Sequence, residues 1–527
     1  MEETRFKLTY ATMFDPPDIL HTRFEAALAK VRADLGKEHA MIVAGKDRYS
    51  AQKFNETSPA DTDVVLGIFQ QGTAQGALDA VETARRAFAE WSGARWQDRV
   101  TLLRKAAALV EERIFDISAA MALSVGKNRM ESLGEVAETA DLINYACDQI
   151  EQNDGFVKEM GQDPIKNCVS RNLSVLRPHG AWLIISPFNF PIALTGGPAA
   201  AALVTGNTVI IKPPSDAPWT VRLLADCFQD AGLPDGVVNF VTGSGSTVGE
   251  ALISSSDVDG VTFTGSYEVG MKIFQERARL NYARPVILEM GGKNPTIVSR
   301  NADLEIAALG TMRSAFGLQG QKCSACSRVY IEEPVYDDFV SRLVDLTGKI
   351  VVGDPTQKHV YMGPVINRTA FDRYRACVKE LSAAGKVFSG GQALDSGEYA
   401  RGYFCSPTIV ADVPRDHRLW IEEMFVPILM VSTVADLSEA MEQANQSTFG
   451  LTAGFYGSPE EADWFFTNIR AGVAYANRLV GATTGAWPGF QPFGGWKGSG
   501  ASGKNAGGHY YLPLYLREQI QSRMIRQ

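Results

Sequence analysis

An α/β architecture built on a parallel, doubly wound sheet is the fold class predicted for this chain, and three observations predict it. Short apolar, β-branched runs stand at 180–186, 208–212, 237–241, 260–263 and 286–289. Helix-like stretches at 192–204, 217–232, 247–255 and 267–280 separate them. Strands that alternate with helices pair in parallel and are covered on both faces. A second alternating region follows at 303–475, and 527 residues suffice for two or three domains.

In chain order, 77–92, 97–112 and 131–150 show helical apolar spacing with charged faces. From Ala181 to Ile211 there is no charged residue, but Pro187, Asn189, Pro191, Pro198, Gly206 and Asn207 interrupt the run. That pattern reads as a buried strand, helix and strand, not a membrane span. Residues 152–178 and 503–520 fit neither sheet. The second of these carries Tyr510, Tyr511, Leu512, Leu514, Tyr515 and Leu516, too apolar for a free tail, and is expected to dock on another subunit.

Composition narrows the function classes. Apolar residues make up 45% and charged residues 21%, ordinary for a soluble globular protein. A net charge of −9 with no long basic run argues against nucleic acid as a partner. Seven cysteines at scattered positions, and an N-terminus without the apolar core of a signal peptide, point to a cytoplasmic chain with reduced thiols. Cys323 and Cys326 form a single CxxC with no second pair at zinc spacing, so no metal site is expected.

Two Gly-marked segments carry the chemistry. Glu289-Met290-Gly291-Gly292-Lys293 ends an apolar strand with a carboxylate, and Gly320-Gln321-Lys322-Cys323 presents a thiol after a polar stretch. A thiol attacks a carbonyl carbon, and a carboxylate activates the water that releases the product. A free thiol titrates near ~8.5, so a helix beginning at Cys323 is expected to activate it through its dipole and backbone N–H groups. For Glu289, a structural cap on the Gly291-Gly292 turn is the competing reading; for Cys323, a small buried hydrophobe. Asn189 follows a strand, where its amide either donates to an oxyanion or forms a turn. Lys212 sits at the carboxyl end of a strand, where it meets a dinucleotide or solvent. Gly245 lies in a glycine-rich stretch that is not GxGxxG, while Gly265 and Ser266 open a helix whose N-terminus suits a pyrophosphate.

Taken together these segments resemble the aldehyde dehydrogenase superfamily. The matching stretches are 187–191, 208–213, 263–266, 288–293, 320–323, 422–425 and 492–497, and they fall in the family's order. The resemblance implies an NAD(P)-dependent oxidation of an aldehyde to an acid, with Cys323 as nucleophile and Glu289 as base. Asn189 and the backbone N–H of Cys323 form the oxyanion hole. Ile185, Pro187, Phe188, Lys212, Ser215, Gly245, Gly265, Ser266, Glu423 and Phe425 hold the cofactor. It also implies the organisation. Residues 1–151 become the helical N-terminal part of the cofactor domain, 179–290 a Rossmann-like NAD(P)-binding domain and 291–475 a catalytic domain. Residues 476–502 become the substrate anchor loop, and 152–178 and 503–527 an arm that makes a homodimer or a dimer of dimers.

Within the superfamily, Cys323-Ser324-Ala325 and Gln491-Pro492-Phe493 are similar to the L-glutamate γ-semialdehyde (1-pyrroline-5-carboxylate) dehydrogenases of proline catabolism. That likeness makes Ser324 and a Gly-Ala pair the holders of the substrate α-carboxylate. Phe190 and Phe493 flank its stem, with core packing as the competing role. Glu138 matches a carboxylate that meets the α-ammonium group. The anchor loop departs from the family's by about four residues, so Gly-Ala occurs twice, at Gly481-Ala482 and Gly485-Ala486. Val426 replaces the glycine usual after the Glu-x-Phe motif. Ser215 stands where NAD-preferring relatives carry Glu, which removes a repulsion from a 2′-phosphate and predicts that NADP is tolerated. Other semialdehydes, aromatic aldehydes, transfer to coenzyme A and a binding role without turnover are the alternative readings.

Overall fold

The computed structural model describes residues 16–479 and 487–526. The β-branched runs become the strands Ala181–Ile185, Thr208–Lys212, Val238–Phe240, Gly260–Thr264 and Val286–Glu289, all parallel to their neighbours among these five. Their order across the sheet is Val286–Glu289, Gly260–Thr264, Ala181–Ile185, Thr208–Lys212, Val238–Phe240. Strand order reverses between Ala181–Ile185 and Gly260–Thr264, and such a switch point opens a crevice at the strands' carboxyl ends. Helices Ala193–Val204, Pro218–Asp230 and Tyr267–Ala278 separate the strands as the spacing predicts.

The N-terminal stretch is less purely helical than expected. Strands Met41–Val43 and Lys46–Arg48 extend the parallel sheet on its far edge as an antiparallel addition. Lys37–His39, Val65–Gln70 and Lys53–Thr57 form a separate small sheet. Helices Asp18–Ala33 and Ile114–Val125 also lay outside the sequence reading. In Ile114–Val125 all nine residues from Ile117 to Val125 are buried, which leaves no amphipathic period to detect.

The second sheet has seven strands in the order Lys386–Ser389, Thr408–Ala411, Ile428–Val434, Cys326–Glu332, Asn294–Val298, Thr452–Tyr456, Val473–Ala476. It begins earlier than the 303–475 estimate, because Asn294–Val298 is one of its central strands. Only four residues separate that strand from Val286–Glu289 of the first sheet. The Glu289–Lys293 motif is therefore the crossing between the two sheets.

Residues 152–178 and the C-terminal stretch pair with each other. Leu516–Arg526 and Cys168–Pro178 run antiparallel over eleven residues, with Val157–Glu159 on the other side. The apolar stretch before that strand docks within its own chain, contrary to expectation. Tyr511, Leu512 and Tyr515 are buried in the core cluster beneath the first sheet, while Tyr510 is exposed. No described helix is long and apolar enough to cross a membrane.

Candidate active site

Glu289 closes its strand opposite Thr264, and its backbone carbonyl accepts from Gly265 N at 3.1 Å. The following residues are pinned from the C-terminal segment: Met290 N donates to Ser499 O at 2.8 Å and Ser499 Oγ to Gly291 O at 2.7 Å. The Gly495 backbone N–H donates to the Glu289 carboxylate, whose Oε2 has no partner among the described residues. Burial holds this carboxyl well above the usual range. A cap on the Gly291-Gly292 turn is not its role. Gly292 N instead donates to Glu423 Oε1 at 2.9 Å.

No helix begins at Cys323. The chain makes a tight turn over Gly317–Gly320, with Leu318 and Gln319 in left-handed conformation at φ 46° and 55°, and then enters strand Cys326–Glu332. Side chains from elsewhere hold that turn. Glu131 accepts from Leu318 N at 3.1 Å and from Lys322 Nζ at 2.7 Å. Gln319 Nε2 donates to Gly126 O at 2.7 Å and Pro364 O at 2.8 Å. Asn294 Nδ2 donates to Cys323 O at 2.7 Å and Ala325 O at 2.9 Å. The expected dipole activation is absent: burial, then Glu423, then Glu289 push the thiol above its ordinary range, opposed only by the Ser324 and Cys323 backbone N–H groups.

Asn189 is buried, and its Nδ2 donates to Gln321 O at 2.8 Å. A primary amide has two protons, so one fixes the side chain and the other is left to donate. The loop it occupies is anchored by Glu135, whose Oε1 accepts from Ile192 N at 2.9 Å and Ala193 N at 3.2 Å. Glu135 pairs with Lys127, both fully buried, and Lys127 Nζ stands 3.6 Å from the centre of the Phe190 ring.

Cys323 and Glu289 line one cavity, together with Glu138, Phe190, Ser324 and Phe493. Six side chains singled out from the sequence thus share one space; Asn189 is not among its described walls and is tied instead to Gln321 O, two residues before Cys323. Phe493 also packs on Leu142 and Ala193, so it serves core and cavity alike. Gly485 and Ala486 lie outside the described residues. Trp487 is buried beside the cavity, in a recess shared with Glu138, Phe190 and Lys322. The sequence reading missed the remaining walls, among them Leu142, Tyr145, Gln149, Leu194, Gly197 and Tyr511. A signal existed for some: Glu138, Leu142, Tyr145 and Gln149 are one stripe of helix Arg129–Gln152 at spacings of three and four.

The cofactor candidates gather at the carboxyl ends of the first sheet. Ile185, Pro187 and Phe188 are half-buried just after Ala181–Ile185, beside the switch point. Lys212 is buried, donates from Nζ to Pro213 O at 2.8 Å, and is lowered to about 8 by burial. Ser266 caps helix Tyr267–Ala278, and the stretch Gly245–Gly249 opens into free space, since a Cβ at Gly245 would meet nothing within 4 Å. Burial raises Glu423 to about 7, and the Phe425 ring lies edge-on to Phe188 at 5.9 Å with φ 56° at Phe425. Val426 is buried in the second sheet's core, which accommodates its departure from glycine. Ser215 is exposed, and the next residue, Asp216, is a carboxylate that accepts from Asn367 Nδ2 at 3.3 Å. A capped helix N-terminus and an amine as donors, with a carboxylate as acceptor, are a set that fits a dinucleotide.

A family model described as the aldehyde dehydrogenase family matches residues 46–520. A 1-pyrroline-5-carboxylate dehydrogenase of Bacillus cytotoxicus is 37% identical over 508 residues, 95% of this chain and 96% of that one. One from Geobacillus thermodenitrificans is 37% identical over 511 residues, with 95% and 96% covered. A solved 1-pyrroline-5-carboxylate dehydrogenase from Thermus with bound NAD superposes with a TM-score of 0.91 at 33% identity, covering 97% of this chain and 98% of that one. With the order of strands, the buried carboxyl and the thiol on one cavity, these matches show that the chain belongs to the aldehyde dehydrogenase family.

Proposed function

We propose that this chain oxidises L-glutamate γ-semialdehyde to L-glutamate with a nicotinamide dinucleotide. One observation carries the reading: Cys323 and Glu289 open onto a single cavity whose other walls include Ser324, Glu138 and two Phe rings. The curated relatives named 1-pyrroline-5-carboxylate dehydrogenase support the substrate class.

In this reading the Cys323 thiol gives its proton to a base, and Glu289 is the carboxylate at hand in the cavity. Sulfur bonds to the aldehyde carbon, and the carbonyl oxygen becomes an alkoxide. The free Asn189 amide proton and the Cys323 N–H hold that oxygen, each contributing roughly 3–4 kcal/mol. The bound dinucleotide supplies the hydride acceptor. Lys212, Gly265, Ser266, Glu423 and Phe425 hold it, with Ile185, Pro187, Phe188 and Gly245 around it. A thioester remains on Cys323. Glu289, once it has passed the thiol's proton on to solvent, takes a proton from water, the water oxygen bonds to the acyl carbon, and sulfur leaves as thiolate as the acid forms. Ser324 and the anchor loop take the α-carboxylate, Glu138 the α-ammonium, and Phe190 and Phe493 the stem.

NAD is the cofactor supported by the Thermus neighbour, and NADP is tolerated because Ser215 carries no charge. Residues 179–290 form the dinucleotide part and 291–475 the catalytic part. The paired strands Cys168–Pro178 and Leu516–Arg526 form an arm for a homodimer or a dimer of dimers. A second reading, an aromatic aldehyde, is favoured by the apolar walls at Leu142, Tyr145 and Leu194. A panel of glutamate γ-semialdehyde, succinic semialdehyde and benzaldehyde, each with both cofactors, decides between them. The highest kcat/KM is expected for glutamate γ-semialdehyde. A benzaldehyde optimum transfers the assignment to the second reading, and no cofactor reduction with any aldehyde overturns both.

A further inference from the structure

We propose that the buried pair Lys127–Glu135 is a positioning device for aldehyde selectivity, holding the Phe190 ring in place as a wall of the cavity. This rests on Phe190 flanking the stem of the aldehyde.

Both members come from one short stretch between two helices. Gly126 ends helix Ile114–Val125 at φ 80°, and its carbonyl accepts from Gln319 Nε2, in the turn before Cys323, at 2.7 Å. Asn128 caps helix Arg129–Gln152, where its side-chain oxygen accepts from Glu131 N at 2.9 Å. Lys127 lies between these two helix ends, and Glu135 follows in the second turn of the later helix. Neither side chain is exposed.

Glu135 holds two things at once. Its Oε2 accepts from Lys127 Nζ, and its Oε1 accepts from Ile192 N at 2.9 Å and Ala193 N at 3.2 Å, at the start of helix Ala193–Val204. Burial pushes this carboxyl up and the amine down; their mutual charge and the two N–H donors oppose it. A carboxylate that also accepts from a helix N-terminus is favoured in its charged form, which keeps its partner an ammonium.

That ammonium stands over the Phe190 ring, 3.6 Å from its centre, and such an attraction is strongest where water is excluded. Phe190 is therefore held twice, at its ring by Lys127 and through the backbone two and three residues on by Glu135. The ring needs holding because it has somewhere else to go. Phe190 and Glu138 line the aldehyde cavity and also an adjoining recess, whose other walls include Glu131, Glu135, Lys322 and Trp487. The ring is part of the partition between the two spaces, and without the ammonium it is free to turn into the recess. Asn189, the preceding residue, is tied separately to Gln321 O at 2.8 Å. Loss of the pair is therefore expected to weaken aldehyde binding and to spare the chemical step.

The test is steady-state kinetics on the full chain, with saturating NAD and whichever aldehyde of the panel gives the highest kcat/KM. Lys127→Met/Glu135→Gln removes both charges together, so that no lone charge is buried, and keeps a carbonyl acceptor for Ile192 N and Ala193 N. Its aldehyde KM is expected to rise about tenfold, with kcat within about twofold of the parent. Lys127→Met alone, in which Glu135 can take up a proton and still accept from both N–H groups, is the second variant and should show the same rise. In a Phe190→Ala background the paired substitution should raise KM no further, because its effect passes through the ring. A parent KM in both Lys127 variants overturns the proposal. So does a fall in kcat alone, or a rise in KM of the same size with and without the ring. Phe190→Ala separates the two levels. If its KM matches the parent's, the reading of Phe190 as a flank for the aldehyde itself fails. If its KM rises while the Lys127 variants are unmoved, only the role of the pair fails.

Discussion

Lys322 donates to Glu131 at 2.7 Å, one residue before Cys323, so the loop bearing the proposed nucleophile is moored to helix Arg129–Gln152. Both partners are largely buried, with side-chain exposures of 4% and 13%. Removing one member of a buried pair leaves the other charge uncompensated. Glu131→Ala is expected to destabilise the protein by about 3 kcal/mol and lower kcat at least tenfold. Glu131→Gln keeps an acceptor for Leu318 N and should retain more of both. Denaturant unfolding alongside steady-state kinetics checks this, and unchanged kcat in Glu131→Ala would break the link between loop and turnover.

The thiol's environment sets a pH prediction. Burial and the two carboxylates raise the Cys323 thiol, so its thiolate fraction at neutral pH is below that of a free cysteine. Iodoacetamide labelling of the cofactor-free protein should rise about tenfold per pH unit from 7 to 9 without levelling off. A plateau near pH 7 would reveal a depressed thiol instead.

Lys293 bears on stability. It is buried with no hydrogen-bond partner for Nζ, and burial lowers it to about 7 from an ordinary 10.5. Between those values the unfolded chain binds a proton that the folded chain does not, so this residue's contribution makes stability increase as pH rises from 7 towards 10.5 and fall as pH drops. Lys293→Met should add about 2 kcal/mol at neutral pH and flatten the profile over that window. Thermal unfolding at several pH values reads it directly, and an unchanged slope would count against this sign.

Ser215 is the residue proposed to admit NADP. A carboxylate placed 4 Å from a 2′-phosphate repels it by roughly 1 kcal/mol in water and about 4 kcal/mol at an effective dielectric of 20. Ser215→Glu is expected to reduce kcat/KM for NADP at least fivefold relative to NAD. Equal selectivity before and after would point to Asp216, which the sequence reading passed over.

The parallel sheet was legible because each strand is a short β-branched run between helical stretches, and Thr208–Lys212 and Val286–Glu289 appear at the residues expected. Cys323, Glu289 and Glu138 could be named because their motifs are local. What stayed hidden depends on contacts between distant segments. Cys323 read as a helix start because glycine and polar residues precede both turns and helices; the left-handed Leu318 is held by Glu131, nearly two hundred residues away, and Gln319 by the Gly126 and Pro364 carbonyls. Tyr511 and Tyr515 read as an interface because they are apolar and late in the chain. Only the folded chain shows that they lie beneath the first sheet, with Tyr515 against Trp182 and Thr262. The hairpin Met41–Val43 with Lys46–Arg48 escaped notice because each strand is three residues long.

The central claim is that Cys323 and Glu289 act in succession on one carbon, and a single-turnover experiment on Glu289→Gln tests it most directly. The expected result is a burst of about one reduced cofactor per subunit, followed by a stall, with an acyl adduct located on the Cys323 peptide by mass spectrometry. Steady turnover at the parent's rate, or an adduct on any other residue, would contradict the account.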